Sequence, residues 1–438
     1  MVYTDLLFLF AFLPIATAFI MILSEPWEKN LAAVALSLIF IVWARPIYYA
    51  LIILPVIVTY VAARLYNKTK SGAIIVSAEI ISLIFGGGFA LISGTDATLG
   101  GAICSVGFLL FTLRSFMYLN DVKHGQDSEK DFTALGAYLI SYEFMLISPV
   151  KSYSELSEHL KTRKFKLSNL SLGMKNFVFG LSKVAILGLS FDRVRLAALN
   201  SDATPWVNAI IGLLAVIVET YILLDGYTQM STGLACINGV PMVSSGVAIR
   251  PRASLIGHIS DVYADLGEAV EKHFGKSAKA NIVGLVVCSL IAGAAIALEN
   301  GAVAFFALVL AALMISNAPS EQKSGLFDFI VSLVLALGGF LLLANGSASG
   351  VAGWFASLNP NNYVLDISYA LYDELTRVIP WLVIGIVSIT PLPEMFASVF
   401  RARMSENEKF YSIARALGTC ICVLLLLISI IALVSFSG

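Results

Sequence analysis

The stretch Cys288–Met314 reads CSLIAGAAIALENGAVAFFALVLAALM, an apolar run long enough to cross a bilayer and interrupted near its middle by Glu299 and Asn300. Ionisable side chains are costly at that depth unless they face protein or a wet cavity, so the interruption marks a candidate site. Around it the composition is of one kind. The chain has 438 residues, 58% hydrophobic and 13% charged, with a mean hydropathy of +0.86. Soluble domains carry about a quarter charged residues, so the expected class is an all-α polytopic membrane protein. The long apolar runs match the ~20 residues an α-helix needs to cross hydrocarbon, and they do not alternate as barrel strands would.

Spans are expected near 4–23, 31–66, 72–94, 99–119, 132–149, 173–190, 205–224, 282–298, 301–317, 325–344, 377–392 and 411–435. The 31–66 block reads as two helices broken around Arg45-Pro46, because proline removes a backbone donor and clashes with the preceding turn. The 132–149 segment contains Glu143, ends at Pro149 and reads as re-entrant. The first span is expected to be an uncleaved helix: Ala16-Thr17-Ala18 mimics a cleavage site, but no basic residue precedes it. The loop 151–169 carries Lys151, Lys161, Arg163, Lys164 and Lys166, and 250–279 carries Arg250, Arg252, Lys272, Lys276 and Lys279. The positive-inside bias puts both in the cytoplasm, and the uncharged loop 345–363 outside.

The net charge of −1 gives no sign of a nucleic-acid partner. Five cysteines in apolar or near-apolar sequence lack metal-ligand spacing and read as small buried hydrophobes. There is no phosphate-binding Gly-rich loop; Gly86-Gly87-Gly88 reads as a helix-packing site. Neither a short repeat nor a two-halves symmetry of the transporter kind is visible.

Several segments, in order, resemble the membrane-bound O-acyltransferase (MBOAT) family, in its bacterial branch that acetylates alginate-like polymers or alanylates teichoic acids. VGFLLFTLRSFMYLNDVKHG, Val106–Gly125, resembles the family's early helix, with Tyr118 expected at the interface and Asp121 beyond it. Tyr142–Leu156 resembles its proline-centred break, with Pro149 kept and Ser148 in place of a glycine. Gly180-Leu181-Ser182-Lys183 resembles its G-L-x-K helix start. Tyr221–Gly239, YILLDGYTQMSTGLACING, follows its Y-F-D-F-S-G-Y-S-D-M-A-x-G-L-A stretch, with Leu223 and Gln229 at its aspartates and Asp225 at its serine. His258-Ile259-Ser260 resembles the end of W-H-I-S without the tryptophan, after a shortened Trp- and Arg-rich helix. Glu299-Asn300-Gly301-Ala302 aligns with W-H-G-A, so Asn300 takes the position of the family histidine.

The resemblance implies a single integral-membrane domain, 1–438, built as a ring of tilted and re-entrant helices around a central tunnel. It implies an acyl donor, acyl-CoA or an acyl carrier protein thioester, with no bound cofactor or metal. It also implies membrane lipid as surroundings, a soluble acyl carrier protein or an extracytoplasmic acyltransferase as partner, and a bacterial inner or cytoplasmic membrane as location. The family histidine accepts a proton at neutral pH. The amide of Asn300 has no usable basicity. Glu299 is adjacent but about 100° around a helix, so it does not substitute in place. The candidate site residues are therefore His258 and Asn300, facing each other across the cavity, with Asp225, Tyr227 and Glu299 as tunnel-lining or binding groups. The expected function is a catalytically impaired MBOAT-like scaffold, conduit or binding subunit in cell-envelope polymer acylation. The alternative is an active O-acyltransferase that uses His258, and a small-molecule transporter is a third class.

Overall fold

A computed structural model describes residues 2–43, 46–94, 99–126, 128–199, 206–241, 278–316, 347–357, 367–389 and 408–437, with a few single positions besides. Among the described residues there is helix and no strand. The protein is an all-α polytopic membrane protein. Five described helices are long and apolar enough to cross a membrane: Ile47–Thr69, Gly72–Gly94, Gly101–Lys123, Val207–Ile237 and Ala416–Ser435. Shorter apolar helices lie at Phe8–Ile22, Cys288–Ala297 and Gly301–Ala311.

A π-turn, Phe8–Phe12, leads into α1 (Leu13–Ile22). α2 (Pro26–Val42) starts with proline in its first turn and a reciprocal cap between Glu25 and Glu28, which satisfies backbone N–H groups a helix start leaves open. A 3₁₀ turn at Ile47–Ile52 separates it from α3 (Ile53–Thr69), as the Arg45-Pro46 break requires. α4 (Gly72–Gly94) and α5 (Leu99–Lys123) pack together. Of the glycine triplet only Gly86 makes the close approach: a Cβ there would fall 2.0 Å from Thr112 Oγ1, whereas one at Gly88 meets open space. Hydroxyls join α3, α4 and α5, with Ser115 2.8 Å from Thr59 and 2.9 Å from Ser82. Such bonds suit a bilayer, where polar groups need partners within the protein.

α5 is the central span. Its most apolar window is 83% buried, against 6% for the last helix. It runs through Tyr118 and Asp121 to Lys123. Tyr118 is not at the lipid interface as expected. It is buried, accepts the Glu129 N–H at 2.9 Å, and meets Tyr153 edge-on.

α6 (Phe132–Ile140), capped by Asp131, gives way to a non-helical segment, 141–150, every residue of which is buried. The basic stretch that follows is not all loop, because Ser152 and Glu155 form a capping box that starts α7 (Tyr153–Lys161). α8 (Leu167–Ser182) passes through a π-turn at Lys183–Gly188 into α9 (Leu189–Leu199). Gly180–Lys183 therefore ends one helix rather than starting one. α10 (Trp206–Ile237) lies against α8 with the backbones nearly touching: a Cβ on Gly173 would sit 2.5 Å from the Gly233 carbonyl oxygen, and one on Gly180 2.5 Å from that of Gly226. Glycines seven residues apart on each helix fall on one face, which is what the approach needs.

α11 (Ala278–Ala297) and α12 (Gly301–Ser316) form a hairpin. Glu299 and Asn300 thus sit at its turn, not inside a single span. α13 (Ala348–Ser357) is a short helix within the stretch expected to be an outer loop. α14 (Tyr369–Ile389) and α15 (Glu408–Ser437) complete the described chain. α15 exposes Leu417, Ile431 and Val434, the outward apolar face expected of a helix at the lipid boundary. None of the cysteines is in a disulfide; Cys420 is exposed on this helix and Cys104 half-buried, rather than both buried.

Candidate functional site

At the α11–α12 turn the backbone winds into a left-handed stop. Asn300 N–H donates to the Ala295 carbonyl at 2.8 Å and Glu299 N–H to that of Ile296 at 3.1 Å. These are the paired bonds of a Schellman ending, in which the residue after the cap is left-handed. Glu299 holds that place with φ 53° and an exposed side chain. Asn300 is buried, and its amide is used at both ends. Its Oδ1 accepts the Val303 N–H at 3.1 Å, and its Nδ2 donates to the carbonyls of Leu91 at 2.7 Å and Ala90 at 3.3 Å. It caps α12 and pins the hairpin turn to the end of α4. The fit is close: a Cβ on Gly94 would fall 2.3 Å from Asn300 Oδ1.

Of the described candidates, Asp225 and Tyr227 find their partners away from Asn300. Asp225 forms an ion pair with Lys183 across the α8–α10 contact. Tyr227, two residues on, is buried on another side of α10, with its hydroxyl 3.3 Å from Thr4 Oγ1 and its ring 6.0 Å from Tyr3. His258 lies outside the described residues, as do Arg250, Arg252 and Lys272. Among the described residues no group of His, Cys, Asp and Glu could hold a metal ion.

The main polar cluster lies in segments that read in sequence only as signals of topology. Glu143, in the non-helical segment, pairs with Arg163 just after α7, and both side chains are fully buried. Arg163 Nε donates to the Asn238 carbonyl at 2.7 Å, and an Arg163 terminal nitrogen to Asn30 Oδ1 at 3.3 Å. Asn238 Nδ2 donates to Glu143 Oε1 at 2.7 Å and to the Tyr142 hydroxyl oxygen at 2.6 Å. The Glu143 carbonyl accepts from Ser231 at 2.6 Å and from Tyr3 at 3.1 Å. Seven residues from five chain segments meet here. Breaking such a pair by removing one partner is costly because it strands a buried charge.

α5 carries the same segment from the other side. A Cβ on Gly107 would fall 2.0 Å from the Met145 carbonyl oxygen. Buried Arg114 donates to the Leu139 carbonyl at 3.2 Å, to the Phe144 carbonyl, and to Ser148 Oγ at 2.9 Å. Ser148, the departure from the glycine of the resembled motif, thus supplies an acceptor for Arg114. Non-helical backbone at membrane depth needs this satisfaction from surrounding protein. The signals for the cluster were present: one acid in an apolar run before Pro149, and an arginine that had been counted for orientation only.

Outside the spans, Glu129 organises the loop between α5 and α6. Burial pushes its carboxyl up. Lys161, 2.6 Å away, the N–H groups of Asp131 and Lys130, and the Tyr153 hydroxyl at 2.8 Å outweigh this and hold it below the ordinary carboxylate value.

No family model matches the chain. It is similar to the "Probable alginate O-acetylase AlgI" of Pseudomonas syringae pv. tomato, 24% identical over 261 residues, which are 55% of this chain and 50% of that one. It is similar also to the "Probable alginate O-acetylase AlgI" of Pseudomonas fluorescens, 24% identical over 257 residues, 55% of this chain and 49% of that one. The chain spans about half the length of these curated relatives.

Proposed function

We propose that this protein is a divergent, MBOAT-like membrane component of cell-envelope polymer acylation, catalytically impaired, and that it works as a scaffold, conduit or binding subunit. The similarity to two probable alginate O-acetylases supports the acylation setting. One observation carries the impaired half of the reading: the Asn300 amide is spent on the Val303 N–H and the Leu91 and Ala90 carbonyls, and it has no basicity to offer. A group in that place cannot take a proton from an acceptor hydroxyl, a loss of ~10²–10⁴-fold in rate where a general base is required. In this reading the chain is one integral domain, its helices ring a tunnel, and an acyl-CoA or acyl carrier protein thioester and an extracytoplasmic acyltransferase are its partners in a bacterial inner membrane.

The test is thiol release from acetyl-CoA and from an acetylated carrier protein, by the full chain in lipid nanodiscs with a hydroxyl acceptor. The expected result is release no faster than that of nanodiscs alone. Turnover by the wild type that His258→Ala abolishes would replace this reading with the active O-acyltransferase.

A further inference from the structure

Between α8 and α10, beside the glycine contact, lies a polar cleft of about 210 Å³ lined by Asn176, Phe179, Lys183, Gln229 and Thr232. We propose that it binds a neutral, hydroxyl-rich ring, such as the sugar headgroup of a glycolipid or a free saccharide. The proposal does not depend on whether the chain transfers acyl groups.

The lining follows from helical spacing. Asn176 and Lys183 are seven residues apart on one face of the α8 run, and Gln229 and Thr232 are three apart on α10, so all four reach the same gap. Among the described residues the side-chain amides of Asn176 and Gln229 have no hydrogen-bond partner, which leaves each with a donor and an acceptor to present. Polar groups in a helix contact at membrane depth are ordinarily bonded to one another. These are open to the cleft instead.

The charge balance selects the ligand. Lys183 is paired with Asp225, which lies within a membrane span, so the site carries no net charge with which to draw an anion. Lys183 also begins the π-turn, the kind of helix distortion that recurs at functional sites. Phe179 stands at the mouth, 40% exposed, and its ring face suits the apolar C–H face of a sugar. Leu172, on the same face one heptad earlier, is exposed as well, so the mouth opens along an apolar stripe from which a lipid-borne headgroup could enter. The volume lies below the ~300–1,000 Å³ of drug-sized sites and suits one ring.

Saturation-transfer NMR on the full chain in phosphatidylcholine nanodiscs tests this, with methyl β-glucoside, hexyl β-glucoside below its micelle concentration, and glycerol phosphate as probes. Saturable glucoside binding is expected, weakened about tenfold or more in Asn176→Leu/Gln229→Leu by the lost hydrogen bonds. Glycerol phosphate is expected to bind more weakly than either glucoside. Tighter binding of the hexyl than the methyl glucoside assigns a lipid-borne headgroup, and equal binding a free saccharide. If the double variant shifts in thermal unfolding, Phe179→Ala, at an exposed position, must show the loss. No saturable glucoside binding, unchanged binding in the variants, or a preference for glycerol phosphate overturns the proposal.

Discussion

Glu299 holds a backbone conformation that side chains other than glycine seldom adopt. Two other described helices end with the same bonding, and there the left-handed position is glycine: Gly125 at φ +105° after α5, and Gly239 at φ +84° after α10. A left-handed non-glycine residue costs about 1–2 kcal/mol, so Glu299→Gly is expected to raise stability by about 1 kcal/mol in thermal unfolding of the reconstituted protein. A fall in stability would show that the carboxylate has a partner of its own. Glu129 gives a pH dependence. Its folded pKa lies below the ordinary value, so its contribution is complete above the unfolded carboxylate pKa of about 4.3 and is lost as pH falls through the depressed folded value. Glu129→Gln should therefore flatten the acid limb of a stability-versus-pH curve and lower stability at pH 7. An unchanged acid limb would contradict this. The sequence showed that Asn300 lacks the basicity of the histidine in the motif it resembles. It could not show that the amide caps α12, because that requires the carbonyls of α4, some two hundred residues earlier, to be at hand.

The segment 141–150 is the element on which the core is assembled. Its departure from helix was legible in Pro149 and Glu143. Its partners were not, because Arg163, Asn238, Ser231 and Asn30 come from distant parts of the chain and none belongs to a local pattern. In the same way the GLSK tetrapeptide looked like a helix start, while in the structure it ends α8 and runs into a π-turn, beside the Gly173 and Gly180 contacts with α10 that no local pattern shows. The buried pair makes a quantitative prediction. Arg163→Met leaves Glu143 uncompensated and is expected to cost about 3–5 kcal/mol, whereas Glu143→Leu/Arg163→Met, which removes both charges, should recover much of that. Denaturant or thermal unfolding of the two variants checks it. Equal loss in both would show that the surrounding hydrogen bonds, rather than the stranded charge, carry the effect.

For the molecule as a whole, hydropathy was the most legible property. The helices at Ile53–Thr69, Gly72–Gly94 and Glu408–Ser437 follow from apolar runs, since backbone in hydrocarbon has few alternatives to helix, whereas α10 runs to Ile237 rather than ending at 224 and α14 carries Pro380 without a break. The short helix α7 escaped because a local capping box, not hydropathy, starts it. Orientation remains a proposal on the positive-inside bias. Single cysteines at Ser168 and Ser347, in a background with the native cysteines replaced, should label from opposite faces of the membrane, and labelling from the same face would contradict it. Asn300 is above all a structural clamp that docks the α11–α12 hairpin on α4. Asn300→His tests it most directly, with thermal unfolding and thioester turnover read on one preparation. An imidazole is bulkier than the amide packed against Gly94 and is expected not to keep both the Val303 and Leu91 bonds, so a loss of about 1–2 kcal/mol is predicted, with no turnover gained. A variant as stable as the wild type that transfers acyl groups would contradict it.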